Sequence, residues 1–169
     1  MNYWGYSLNH RVLIISLMRK PVIYEDLWFR QMMLADEDTM SYNRAWGGTI
    51  DFPKERWRSW YDFWVERPEG KRYYRYLKNE HGDFVGEIAY HYDSDMRGYA
   101  TDVIIYSKWR GRGYGARGLE LLCDAAKANG TSELYDDIAI DNPAVRLFVK
   151  KGFVEEYRTQ EKILLKKAL

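Results

Sequence analysis

The chain has 169 residues, enough for one domain with a buried core that needs no disulfide or metal staples. Its 26 basic and 25 acidic residues leave a net charge of +1, which excludes a general phosphate-backbone binder. The single cysteine, Cys123, excludes an internal disulfide and a thiolate metal cluster, and a reducing, cytoplasmic setting fits it.

Taken in order, Val12 to Met18 is an apolar run too short to span a membrane, and Arg19 and Lys20 follow it without a small-residue cleavage site. It is expected to be a buried first strand. Met18 is also an alternative start, which would leave residues 1–17 as an extension. Tyr24 to about Asp36 has Leu27, Trp28, Gln31 and Leu34 near helical spacing, with Glu25 and Asp26 in the first turn where the dipole favours acid. A second helix is predicted over Glu37 to Asn43, then a loop over Trp46 to Asp51. Pro53 opens a helix carrying Trp57, Trp60, Tyr61 and Trp64 at i, i+3, i+4 and i+7. That stripe reads as core-facing. With 7 Trp, 15 Tyr and 6 Phe, the chain has aromatics enough for a bulky core or a cleft lined for an organic ligand.

From Tyr73 the period shortens. Tyr73–Lys78, Phe84–Tyr92 and Tyr99–Tyr106 are predicted strands joined by turns. A helix follows the glycine cluster, with Leu119, Leu122, Cys123 and Ala126 on one face, and stops at Asn129-Gly130. Leu134–Ile140 is a strand, Asn142-Pro143 begins a short helix through Val149, and Phe153–Leu165 supplies one or two more strands. The order implies an α+β domain, with a mixed, mostly antiparallel central sheet flanked by helices.

Gly113-Tyr114-Gly115-Ala116-Arg117-Gly118 spells G-x-G-x-x-G between a strand and a helix, with Asp136 near the distance of a ribose-binding acid. A doubly wound domain would need several more βα units, and only about fifty residues remain. No Gly-Lys-Ser/Thr follows, so a P-loop is excluded as well. The physics of the cluster survives both exclusions. Glycines at a strand-to-helix junction uncover backbone N–H groups at a helix N-terminus, and Arg110 and Arg112 add charge for a phosphate or pyrophosphate.

Arg110-Gly111-Arg112-Gly113-Tyr114-Gly115 resembles the Gln/Arg-x-x-Gly-x-Gly/Ala signature of the GNAT superfamily of acyl-CoA N-acyltransferases. The segment Ile104–Trp109 ahead of it, and Ala144–Phe153 with Phe148 and Gly152-Phe153, are similar to further elements of that family in the family's order. The resemblance runs from about Phe84 to Tyr157 and implies a single GNAT-like domain over residues 1–169. It implies that the backbone at Val103, Ile104 and Ile105 pairs with the pantetheine arm of acetyl-CoA like an added strand. The N–H groups of Gly111, Arg112, Gly113, Tyr114, Gly115 and Ala116 would hold the pyrophosphate. Asp141 stands at a cofactor-contacting position that is commonly Asn in the family, and Asn142 is next to it. Phe148 stands where many members have a tyrosine thought to protonate the departing thiolate, so Tyr106, Tyr135, Tyr157 or solvent must serve.

The implied reaction is direct attack of a primary amine on a thioester, with no covalent enzyme intermediate. A base must free the amine, and Asp136, Asp102 and Glu87 are the candidates. An N–H near Ile105 could polarise the carbonyl. The strand carrying Asp102 is often bulged in the family, which leaves strand parity undecided. His10, His81 and His91 have no metal-ligand spacing, and Cys123 reads as a core thiol. The acceptor is a small-molecule amine or a protein N-terminus; no nucleic acid, membrane or metal is expected, and a homodimer stays open. The alternative reading is a non-catalytic acyl-CoA-binding domain.

Overall fold

A computed structural model describes residues 21–169 together with the backbone of Ser16 and Leu17. The strand expected over Val12–Met18 therefore lies mostly outside the described residues, as do His10 and the extension. Its two described residues form β1 (Ser16–Leu17), antiparallel to β2. The other strands are β2 (Arg72–Lys78), β3 (Phe84–Asp93), β4 (Gly98–Ile105), β5 (Glu133–Ala139), β6 (Val154–Arg158) and β7 (Lys162–Ala168). They form a seven-stranded sheet in the order β1-β2-β3-β4-β5-β7-β6, in which only β4 and β5 run parallel. One parallel pair in a mostly antiparallel sheet is incompatible with a doubly wound dinucleotide fold, so the G-x-G-x-x-G spacing is coincidental.

Of the expected spacing in the first helix, Leu27 and Leu34 face the core, while Phe29 and Met33 take the place of Trp28 and Gln31. Helix α1 (Leu27–Ala35) buries Leu27, Phe29, Met33 and Leu34, leaving Trp28 half exposed. Helix α2 (Lys54–Tyr61) runs on through a wider π turn at Asp62–Glu66. Trp57 of its stripe is buried, while Trp60 and Trp64 also face a small cavity on the helix side of the sheet. The helix expected over Glu37–Asn43 is instead a 3-10 run, Thr39–Trp46. Asp36 starts it by accepting from the N–H (2.8 Å) and Oγ1 (2.5 Å) of Thr39. Helix α3 (Tyr114–Ala128) buries Leu119, Leu122, Cys123 and Ala126, and helix α4 is Ala144–Lys150.

The sheet separates two apolar clusters. Leu77, Ile88, Ile105, Leu134 and Ile138 pack under α3 and α4, with Val103 against them. Tyr74, Tyr76 and Ala89 pack under α1 and α2, with Ile104 against them. Gly118 allows α3 to lie close on the first face, since a Cβ there would come within 2.8 Å of Leu77.

Strand β4 is continuous on one side and interrupted on the other. Its register with β3 is unbroken from Gly98↔Asp93 to Ile105↔Gly86, so no bulge interrupts it and the side-chain parity left undecided by the sequence holds throughout. Its pairing with β5 covers only Tyr99↔Leu134 and Ala100↔Tyr135. Beyond that point the two strands part.

Candidate active site

The parting of β4 and β5 opens a cleft of about 630 Å³, walled by Thr101 to Ile105 on one side and Asp136 to Ile138 on the other. The N–H of Tyr106 donates to Val85 of β3, so Ile104 and Asp102 also turn their backbone groups toward β3. By the same alternation Val103 and Ile105 present theirs to the cleft. Of the three residues expected to pair with a pantetheine arm, Val103 and Ile105 therefore have the orientation for it. Ile104 contributes its side chain instead.

The cleft ends at the glycine loop. Gly111 (φ +73°) and Gly113 (φ +86°) adopt left-handed conformations that side chains disfavour, and Gly113 caps α3. This aims the unpaired N–H groups of the first turn of α3, from Tyr114 to Ala116, into the cleft. The Trp109 indole N–H is buried beside the loop without a partner among the described residues. Unpaired donors converging at a helix N-terminus fit a phosphorylated ligand.

The two arginines of the loop divide. Arg112 is exposed, with its guanidinium 5.0 Å from the centre of the Trp109 ring. Arg110, expected from the sequence at the phosphates, turns its guanidinium to the 3-10 run instead. It donates to the carbonyls of Asp38 (2.8 Å), Ile105 (3.2 Å) and Thr39, and lies over Tyr42. Ser107 strengthens this clamp, its N–H donating to Thr39 Oγ1 and its hydroxyl to Asp36, each at 2.9 Å. The acceptance of these donors holds the Asp36 carboxyl below its ordinary value, Thr39 contributing most.

Among the acids, parity separates the candidates. Asp102 shares the α1/α2 face with Ile104, whereas Asp136 shares the α3 face with Leu134 and Ile138. Thr101 Oγ1 donates to Asp136 at 2.5 Å. Burial nevertheless drives the Asp136 carboxyl well above its ordinary value, because the loss of water outweighs that hydrogen bond. Asp102 keeps 49% of its side-chain surface yet is surrounded by the cleft walls, and burial raises it too; the imidazole of His91, 3.8 Å away, pulls the other way. Glu87 is not free to act as a base. It is almost fully buried, paired with Arg30, and receives the Tyr74 hydroxyl proton in a hydrogen bond.

Asp141 is exposed and off the cleft wall, and Asn142 lines it instead. The Asn142 side-chain oxygen accepts from the Ala144 N–H at 2.8 Å, leaving its amide N–H groups for a ligand. Phe148 lines the cleft and packs on Phe153. Tyr106, Tyr135 and Tyr157 do not reach the cleft; the tyrosines that line it are Tyr42 and Tyr114. Among the described residues no cluster of His, Cys, Asp and Glu could hold a metal, and no helix is long and apolar enough to cross a membrane.

The mixed α+β fold, with a cleft where β4 and β5 part, has the architecture of the acetyltransferase family to which the sequence assigns the chain. Residues 30–153 match the acetyltransferase (GNAT) family, and the chain belongs to it. Solved structures share the fold at low identity. A spermidine N-acetyltransferase from Vibrio cholerae, in complex with CoA and spermine, superposes with a TM-score of 0.71 at 19% identity, covering 91% of this chain and 95% of that one. A domain from Methanocaldococcus jannaschii gives 0.74 at 15% identity, covering 93% and 99%. The GNAT domain of PAT from S. lividans gives 0.72 at 12%, covering 89% of each. Comparison with curated proteins finds no match in sequence.

Proposed function

We propose that the protein is an N-acetyltransferase that takes acetyl-CoA as cosubstrate and acylates the primary amine of a small molecule. The observation carrying this is the gap between β4 and β5, which exposes the backbone of Val103 and Ile105 in line with the N–H groups at the start of α3. The thioester supplies an activated acyl group; the chain supplies its placement. Val103 and Ile105 bind the pantetheine arm as an added strand, Gly111 to Ala116 hold the pyrophosphate with Arg112, and Asn142 adds an amide contact. The Ile105 N–H can stabilise negative charge developing on the thioester oxygen.

Asp102 is the residue proposed to remove the amine proton. It faces the helices that wall the acceptor side, and burial raises its affinity for protons above that of an exposed carboxylate, which makes it the stronger base. Asp136, on the opposite face, has its affinity for protons raised by burial and is proposed to give its proton to the departing thiolate, the task that Phe148 cannot perform. The test is thiol release from acetyl-CoA across a panel of amines. Amine-dependent release supports the reading. Tight CoA binding in calorimetry with no turnover on any amine would instead favour a non-catalytic acyl-CoA-binding domain, the reading that Phe148 in place of a tyrosine keeps in view.

A further inference from the structure

A second cavity of about 130 Å³ adjoins the cleft on the α1/α2 side, sharing Asp102, Ile104, Met40 and Asn43 with it. Its deeper wall is aromatic. Trp60 and Trp64 stack with centroids 5.9 Å apart, and Tyr74 meets Trp60 edge-on at 4.7 Å. Aromatic walls around an acid are what captures a free cation. Here the chain fills that place itself. The Arg30 guanidinium lies 4.8 Å from the Trp60 ring centre, 5.4 Å from Phe52 and 5.5 Å from Tyr74, and is paired with Glu87.

We propose that this cavity receives the carbon skeleton of the acceptor, and that the Arg30–Glu87 pair makes it select monoamines with a compact apolar group over polyamines. The inference rests on the N-acetyltransferase reading of the adjoining cleft. Two observations carry it. Both oxygens of Glu87 are committed, one to Arg30 and one to the Tyr74 hydroxyl, so Asp102, which has the His91 imidazole 3.8 Å away, is the carboxyl on the wall left without a hydrogen bond among the described residues. One acid serves one ammonium, and a second ammonium would face the guanidinium without a partner. A carboxylate on the acceptor would enter between Glu87 and Asp102, with Arg30 already paired. The second observation is the remaining wall, Leu34, Met40, Ile50, Ala89 and Ile104 with the tryptophans, which is apolar apart from Asn43, whose amide N–H donates to the Gly48 carbonyl at 2.7 Å. The cavity's volume of about 130 Å³ is on the scale of the roughly 150 Å³ that accommodates one benzene ring.

The experiment compares kcat/KM, with acetyl-CoA, for 2-phenylethylamine, spermidine, phenylalanine and propylamine. Phenylethylamine is expected to exceed spermidine and phenylalanine by at least about 10-fold, the scale of discrimination available to an apolar pocket. The variant Arg30→Met, which removes the guanidinium and frees Glu87 to pair with a second ammonium, should lower the preference over spermidine about 10-fold or more. Because that variant breaks a buried pair, Ala89→Leu provides a separate check. By filling the cavity it should lower the phenylethylamine-to-propylamine ratio about 10-fold. Equal or better use of spermidine or phenylalanine by the unmodified protein would overturn the inference while leaving the acetyltransferase reading intact, as would an unchanged ratio in Ala89→Leu. Turnover of none of the four amines, with acetyl-CoA bound, would overturn the reading beneath it and the inference together.

Discussion

Asp102 and Asp136 stand on opposite faces of the sheet, one on each side of the gap where β4 and β5 separate. Burial shifts both carboxyls toward the protonated form, Asp136 the more strongly. The base must be ionised and the acid protonated, so kcat/KM should rise with pH as Asp102 ionises and fall at higher pH as Asp136 does. Asp102→Asn should lower kcat by about 10²–10⁴ with CoA affinity unchanged, and remove the acidic limb. Asp136→Asn should lower kcat and remove the alkaline limb. Profiles that keep both limbs in either variant would refute the corresponding assignment.

Gly113→Glu should weaken CoA binding at least ~100-fold, or about 2.7 kcal/mol, in calorimetry. It places bulk and negative charge where the N–H groups of α3 converge, at a backbone with φ +86°. Circular dichroism should show the fold retained. An unaltered dissociation constant would refute the loop assignment.

Arg110 and Arg112, two residues apart, should respond differently. Arg112→Ala should weaken CoA binding several-fold, with the deficit shrinking as salt rises. Arg110→Met should chiefly release the 3-10 run, seen as faster hydrogen exchange over Thr39–Trp46, because its donors hold the carbonyls of Asp38 and Thr39. The opposite pattern would return Arg110 to the phosphate site.

Asp36→Ala should destabilise the protein by about 1–2 kcal/mol through loss of the Thr39 and Ser107 hydrogen bonds. Its carboxyl is held below the ordinary 3.8, so it binds protons less readily folded than unfolded. The stabilisation is therefore present above about pH 4 and lost as pH falls toward the folded value. Denaturant titrations of the two proteins should converge in acid.

Glu87→Ala should cost about 3–5 kcal/mol in denaturant unfolding, since it leaves the Arg30 charge enclosed without a counter-ion. A loss below about 1 kcal/mol would mean that water reaches the guanidinium.

What was legible in the sequence was local. The spacing of Leu119, Leu122, Cys123 and Ala126 announced the buried face of α3, and glycines between arginines announced the left-handed turn that opens it. Relationships between distant segments were not. Glu87 reads as one more strand acid until Arg30, 57 residues away, is found beside it. Arg110 and Arg112 look equivalent until residues 38–42 claim the first. Asp141 and Asn142 differ by one position, and the backbone of a short turn decides which faces the cleft. The absence of a bulge mattered similarly, because parity along β4 distinguishes the acids only when its register with β3 is continuous.

The two-residue ladder between β4 and β5 divides the sheet into a four-stranded and a three-stranded half. A ligand laid into the gap would act as mortar between them, satisfying amides that otherwise rely on water. Melting temperature should then climb with CoA concentration, and the cosubstrate would be part of the architecture as well as part of the chemistry.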